Sequence, residues 1–233
     1  MGNQKQIWEK YWQEQDYTAE CEVKEYHRDI KQMIMDSCKQ AQTAIEVGSG
    51  IGITSLLLSD TLQCTLLDFD EGVLQKASSL FRWKQQKAQF ICCDMFHLDE
   101  VKEKYDVVFN SGVIEHYTLK ERTVLLKEYQ KVLKHQGTMV IAVPNHYCIP
   151  YKLGYVILRF LGRWKYPEEY AIKDLSRELQ DTDLHCVHVI TTSDNLIEDS
   201  IGNRHLKRLY VCLKMLFQFQ GYLRIFIIKN KEL

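Results

Sequence analysis

Glu46-Val47-Gly48-Ser49-Gly50-Ile51-Gly52 runs straight from a short apolar stretch into Ile53-Thr54-Ser55-Leu56, which begins a helical pattern. Glycines at alternate positions let the chain turn tightly and approach a ligand without a Cβ in the way, and a helix start adds free N–H groups. A dinucleotide loop of the form G-x-G-x-x-G would place its third glycine at position 53. That position is Ile, and the third glycine comes one residue early at Gly52. The spacing therefore turns from a pyrophosphate toward a nucleoside ligand whose polar tail faces the turn; a plain glycine-rich turn is the other reading.

Outward from this loop, apolar runs alternate with helical patterns. The runs are Ala44–Val47, Cys64–Leu67, Gln89–Cys92, Tyr105–Phe109 and Thr138–Val143, separated by stretches such as 52–60, 71–82 and 120–134. In the last stretch Val124, Leu125, Glu128, Tyr129, Val132 and Leu133 recur at the spacing of one helix face. Strand and helix in alternation predict right-handed crossovers and a parallel sheet covered on both faces, the doubly wound α/β class. Ligands of that class lie beyond the carboxyl ends of the strands.

Each of those ends carries a suitable residue. Asp68 directly follows the second strand, about 20 residues past the first glycine, and can accept from a ribose diol or cap a helix. Asp70 precedes Glu71-Gly72-Val73-Leu74 and reads as the cap of the next helix. Phe69 can lie against a base or bury itself. The third strand ends at Cys93-Asp94-Met95-Phe96, an acid for an exocyclic amine beside two apolar walls. The fourth ends at Phe109-Asn110-Ser111-Gly112, followed by Val113-Ile114-Glu115-His116.

These segments resemble the successive motifs of class I S-adenosylmethionine-dependent methyltransferases, and 113–116 with 137–145 is similar to the small-molecule branch that includes quinone-biosynthesis enzymes. The resemblance covers roughly residues 40–145. It implies a seven-stranded, mostly parallel Rossmann-like sheet with an antiparallel last strand, and S-adenosylmethionine as cofactor with S-adenosylhomocysteine as product. Glu46, Gly48, Ser49, Gly50 and Gly52 would form the cofactor loop, with Gly48 to Gly50 at the methionine end. It further implies that Asp68 binds the ribose, Phe69 and Met95 flank the adenine, Asp94 reaches its amino group, and Asn110 or Ser111 contacts the sulfonium or its tail. Tyr222–Ile228 fits the last strand, with Leu184–Thr191 as a weaker partner across a connection too long for a hairpin. His116 is the candidate catalytic base, or a residue that shapes the pocket; Glu115 reads as a solvated first-turn acid. His146 and Tyr147 are second candidates for the base.

Composition sets the remaining expectations. The 233 residues carry 30 Lys and Arg against 31 Asp and Glu, so balanced charge gives no case for DNA as partner. A small-molecule acceptor is expected; a protein or RNA acceptor, or a non-catalytic S-adenosylmethionine-binding protein, is the alternative. No signal-peptide pattern and no charge-free run of about 18 apolar residues is visible, which points to a cytoplasmic chain without a spanning helix. The eight cysteines have no C-x-x-C and read as reduced, mostly buried thiols, with vicinal Cys92 and Cys93 facing opposite sides of the sheet. Neither a zinc set nor the carboxylate-rich trio of metal-dependent methyltransferases is apparent, so no metal is expected.

The chain divides into an N-terminal helical lid (1–39), a cofactor core (40–146), a cap or insert (147–200) and a C-terminal helix with the final strand (201–233). Trp8, Tyr11, Trp12 and Tyr17 mark the first segment as a packed helix face, a substrate lid, or both. Residues 147–165 carry four bases and no acid, 166–200 two bases and nine acids, and 201–233 seven bases and one acid. Residues 149–165 wind into a helix with Leu153, Val156, Ile157, Phe160, Leu161 and Trp164 on one broad face. That face is expected to pack on the core as a cap; a lid over the acceptor, or peripheral membrane contact through 149–165, is the sharper alternative.

Overall fold

The computed structural model describes residues 2–14 and 21–231; Tyr17 lies outside them. Helices α1 (Gly2–Glu14) and α2 (Glu25–Ser37) precede the alternating core. The core runs β1 (Thr43–Val47), α3 (Ile53–Leu58), β2 (Gln63–Asp68), α4 (Glu71–Trp83), β3 (Ala88–Cys92), β4 (Tyr105–Ser111), α5 (Leu119–Lys131) and β5 (Leu133–Pro144). After it come α6 (Ile149–Phe160), the short α7 (Ser176–Leu179), β6 (Leu184–Thr192), α8 (Leu196–Ser200), α9 (Arg204–Phe217) and β7 (Leu223–Asn230).

The seven strands form one sheet in the order β3-β2-β1-β4-β5-β7-β6, and β7 runs antiparallel to both its neighbours. The other six are parallel, as expected. Order reverses between β1 and β4, so the connections leaving those two strands diverge and open a crevice at their carboxyl ends. Central strands are apolar on both faces because helices cover both. Ile45 and Val108 join one layer with Leu125 and Tyr129 of α5, and Ala44 and Val107 join the other with Ile30 and Ile34 of α2. Leu184–Thr192 is the partner of the last strand, and the long connection between them holds α8 and α9.

Four expectations need correction. Helix α5 stops at Lys131, because the Tyr105 N–H takes the Val132 carbonyl at 2.8 Å and Leu133 falls into register with Tyr105. Cys92 is exposed and Cys93 only partly covered, since β3 is an edge strand. All eight cysteines are free, but only Cys64 and Cys148 are buried. Finally, α6 forms but does not pack its aliphatic face on the core. Leu153, Val156, Ile157 and Phe160 point to solvent, while Tyr151 and Tyr155 turn inward to Glu169. Periodicity marks an apolar stripe; it does not say which side of a helix finds hydrogen-bond partners.

Candidate active site

The Gly48 and Ser49 N–H groups both donate to the Leu67 carbonyl, at 2.8 and 3.0 Å, which ties the glycine loop to the end of β2. Gly50 has φ +54°, a left-handed backbone that a side chain resists, and a Cβ there would meet the Trp12 ring at 2.6 Å. Gly52 starts α3 from the same region, with Leu66 occupying the space its Cβ would need. Beneath the loop, Glu46 Oε2 accepts from the Ser55 hydroxyl at 2.6 Å and from the Ser55 N–H at 3.2 Å. Burial pushes this carboxyl up to about 7; the two Ser55 bonds oppose the shift and the Asp68 charge adds to it.

Asp68 is buried, its Oδ2 accepting the Gly50 N–H at 2.9 Å and its Oδ1 the Asp70 N–H at 3.1 Å. Burial raises it to about 6 against the pull of those bonds. Each oxygen keeps a lone pair for a further donor, as a diol requires. Asp70 instead caps α4, accepting from the Gly72 and Val73 N–H groups at 2.8 and 3.2 Å, as its spacing predicts. At the end of β3, Asp94 accepts the Phe96 N–H at 3.0 Å and pairs with Lys5 of α1 at 2.7 Å. Burial opposes its charge, but Lys5, the Phe96 N–H and His97 outweigh it and hold the carboxyl below the usual range. Met95 and Phe69 line the same cavity, with the Lys5 ammonium 5.5 Å above the Phe69 ring.

Beyond β4 the two alternatives separate. Consecutive strand residues face opposite ways. Ser111 lines the cavity, whereas Asn110 is fully buried and donates to the Tyr129 hydroxyl at 3.0 Å. Tyr129 in turn touches the Met95 sulfur at 3.7 Å, so Asn110 braces the cavity wall from the core. Glu115 is not a solvated acid: it is 1% exposed, because residues 167–170 fold over it and the Tyr170 N–H takes its carbonyl at 2.7 Å. Burial, then the nearby Glu169, raises its carboxyl well above the ordinary value, and its Oε2 has no hydrogen-bond partner among the described residues.

His116 is 3% exposed, with Nδ1 3.2 Å from the Glu168 carbonyl and Nε2 3.7 Å from Glu115 Oε1. A carbonyl only accepts, so Nδ1 carries the proton and Nε2 keeps its lone pair. Burial lowers the His116 pKa despite Glu169 and the carbonyls, which keeps the ring neutral at pH 7. Glu169, from the insert, completes the group: its Oε2 accepts from His146 Nε2 at 2.8 Å and from the Tyr151 hydroxyl at 2.7 Å. Ligating atoms of Glu115, His116 and Glu169 lie within 4.8 Å of one another, a trio that sequence reading did not assemble. Glu169 stands 53 residues beyond His116 in a segment without a motif, and no local signal marks it.

Helix α1 closes over both parts. Trp8 packs edge-on against His116 at 5.3 Å, Gln4 donates to the His116 carbonyl, and Lys76 of α4 holds the Trp12 carbonyl at 2.6 Å. The Trp8, Tyr11 and Trp12 face is thus packed, and all three rings line the cavity. From Glu46 through Asp68, Asp94 and Ser111 to Glu169, these residues line one continuous cavity of about 880 Å³.

The strand-end acids and the glycine loop share one cavity of an α/β fold, and comparison with known proteins gives its likeness. Residues 44–137 match the family model described as a methyltransferase domain. The fold is similar to an S-adenosylmethionine-dependent methyltransferase from Clostridium acetobutylicum ATCC 824 (TM-score 0.64, 12% identity, 97% of this chain and 99% of that one). It is also similar to magnesium protoporphyrin IX methyltransferase from Synechocystis PCC 6803 with bound S-adenosylhomocysteine (0.61, 14%, 89% and 83%). N-methyltransferase NodS from Bradyrhizobium japonicum WM9 with the same ligand is a third (0.59, 14%, 89% and 87%). Residues 44–137 therefore carry a methyltransferase domain, in a fold shared with S-adenosylmethionine-dependent methyltransferases. The glycine cradle, and a buried carboxylate with spare lone pairs at the end of β2, fit that cofactor.

Proposed function

We propose that the chain transfers the methyl group of S-adenosylmethionine to a small-molecule acceptor. One observation carries the reading: the strand-end residues suited to the cofactor and the Glu115–His116–Glu169 cluster share a cavity of about 880 Å³. That is toward the upper end of ligand pockets, roughly 300–1,000 Å³, and leaves space for a second small molecule beside a nucleoside. One similar structure is named for methylation of magnesium protoporphyrin IX, a small molecule, which supports the same choice.

When bound, S-adenosylmethionine supplies an electrophilic methyl on a sulfonium. Asp68 would accept from the ribose diol, the Gly48–Gly50 loop would hold the methionine end, Phe69 and Met95 would enclose the adenine, and Asp94 would receive its amino group. Ser111 faces the tail, with Asn110 fixing the wall behind it. His116 Nε2 would accept the proton that an acceptor hydroxyl or ammonium must give up, which frees the acceptor's own lone pair to attack the methyl that the cofactor would supply. Holding the reactants in line removes up to about 7–11 kcal/mol of entropic barrier. On this reading residues 1–39 act as lid, 40–146 as cofactor core, 147–200 as the acceptor wall, and 201–233 completes the sheet.

Incubation with methyl-labelled S-adenosylmethionine and a metabolite extract tests the assignment. Label is expected in acid-soluble small molecules. Label confined to protein or RNA overturns the acceptor class.

A further inference from the structure

We infer that α6 and α9 together form a docking surface for an anionic lipid bilayer at the rim of the cavity. On α6, Ile149, Leu153, Val156, Ile157 and Phe160 make one stripe in solvent, with Phe160 90% exposed. On α9, Leu206, Leu209, Leu216 and Phe217 repeat the pattern, Leu216 is 75% exposed, and the helix has no buried residue. Single exposed apolar side chains are ordinary; two whole helix faces are not.

The two helices share one end of the sheet. Helix α6 follows the carboxyl end of β5, and α9 leads into β7, whose Leu223 pairs with Pro144 at that same end. Tyr210 of α9 lies near enough to the Cys148 thiol, just before α6, to interact with it electrostatically. Gly154 and Leu158 of α6 and Leu196 and Ile197 of α8 all line the cavity. The apolar stripes therefore flank its mouth.

Charge selects the occupant. Residues 149–165 hold Lys152, Arg159, Arg163 and Lys165, α9 holds Arg204, Lys207, Arg208 and Lys214, and neither stretch has an acid. Arg159 pairs with Glu168, and Lys207 and Lys214 pair with Glu198. Among the described residues Lys152, Arg163, Lys165, Arg204 and Arg208 have no ion pair. Of the nearby acids, Glu168 and Glu198 are taken up in those pairs, Asp199 pairs with Lys207, Glu169 and Glu178 are buried, and Asp181 and Asp183 precede β6 at the far end of the sheet. A second copy of the chain would cover the stripes but leave five cations facing their like. A nucleic acid would meet the cations but not Phe160 and Leu216. A bilayer surface with anionic headgroups meets both, the apolar stripes at the acyl boundary and the cations among phosphates. Among the described residues no helix is long and apolar enough to cross a membrane, so the contact is peripheral. Resting on the acceptor reading above, this orientation presents the cavity to a lipid-soluble acceptor.

Sedimentation of the full chain with vesicles tests the surface independently of methyl transfer. Vesicles are phosphatidylcholine alone, or phosphatidylcholine with about half phosphatidylglycerol, where each adsorbed cation is worth about fivefold. Binding to the anionic vesicles at low salt is expected, weakened roughly tenfold or more by about 0.5 M salt or by removal of phosphatidylglycerol. Phe160→Ser with Leu216→Ser should weaken it by about tenfold, with S-adenosylhomocysteine affinity unchanged as evidence of folding. No binding to anionic vesicles at low salt overturns the proposal. Binding that ignores the substitutions does so too, as does a dimer in light scattering that the substitutions dissociate while vesicles stay unbound.

Discussion

Glu46 of β1 takes both Ser55 donors of α3 on one oxygen, and burial moves its pKa from 4.5 to about 7. The unfolded chain therefore ionises this group first as pH rises. Stability contributed by the neutral carboxyl is full below pH 4.5, is lost between 4.5 and about 7, and stays lost above. At about 1.4 kcal/mol per pH unit, that span corresponds to about 3 kcal/mol. Glu46→Gln keeps a carbonyl for both Ser55 donors and removes the titration. Urea unfolding of the ligand-free protein should give equal stabilities near pH 4.5, and a variant more stable by about 2–3 kcal/mol near pH 8.5. Asp68, raised to about 6, leaves a shallower slope of the same sign in both proteins. Parallel pH profiles for wild type and variant would refute the reasoning, because Glu46 would then ionise alike in the folded and unfolded chain.

Three further outcomes follow. Asp70→Ala removes the cap of α4 and should lower stability by about 1 kcal/mol in denaturant unfolding, yet leave S-adenosylhomocysteine affinity within twofold. His116→Ala should lower turnover by roughly 10²–10⁴ at saturating acceptor with cofactor affinity intact, and the wild-type rate should fall only below the ordinary histidine value of about 6.5, since burial lowers this ring. Lys5→Met breaks a half-exposed ion pair, so stopped-flow release of S-adenosylhomocysteine should quicken by only about 1.5- to 5-fold. Unchanged release would remove Lys5 from the lid.

Much of the cofactor half was legible because it depends on local order. A strand, a glycine turn and a helix are contiguous from 43 to 58, and both the place of Asp68 at the end of β2 and the Asp70 cap of α4 follow from local spacing. The acceptor half was not legible. Glu115 looks like a first-turn acid until Tyr170 folds over it, and Glu169 has no partner in sequence, only His146 and Tyr151 in space. The stripe on α6 extends only to Phe160, where the helix ends, and Trp164 packs instead on Tyr155 and Tyr166. Its direction depends on hydrogen bonds from Tyr151 and Tyr155 to a residue beyond the helix. Strand alternation fixes that Asn110 and Ser111 face opposite ways, but only packing against Tyr129 says that Asn110 faces the core and Ser111 the cavity.

The central claim is that the ends of β1 to β4 hold the cofactor, with Asp68 on its ribose. Calorimetric titration of S-adenosylhomocysteine into wild type, Asp68→Ala and Asp68→Asn tests it, the Asn variant keeping an acceptor for the Gly50 N–H. Single-site binding by wild type is predicted. Both variants, folded by circular dichroism, should bind about 10–100-fold more weakly, as expected for losing a charged partner of buried hydroxyls worth about 1.5–3 kcal/mol. Affinities within twofold of wild type, or no binding by wild type, would contradict it.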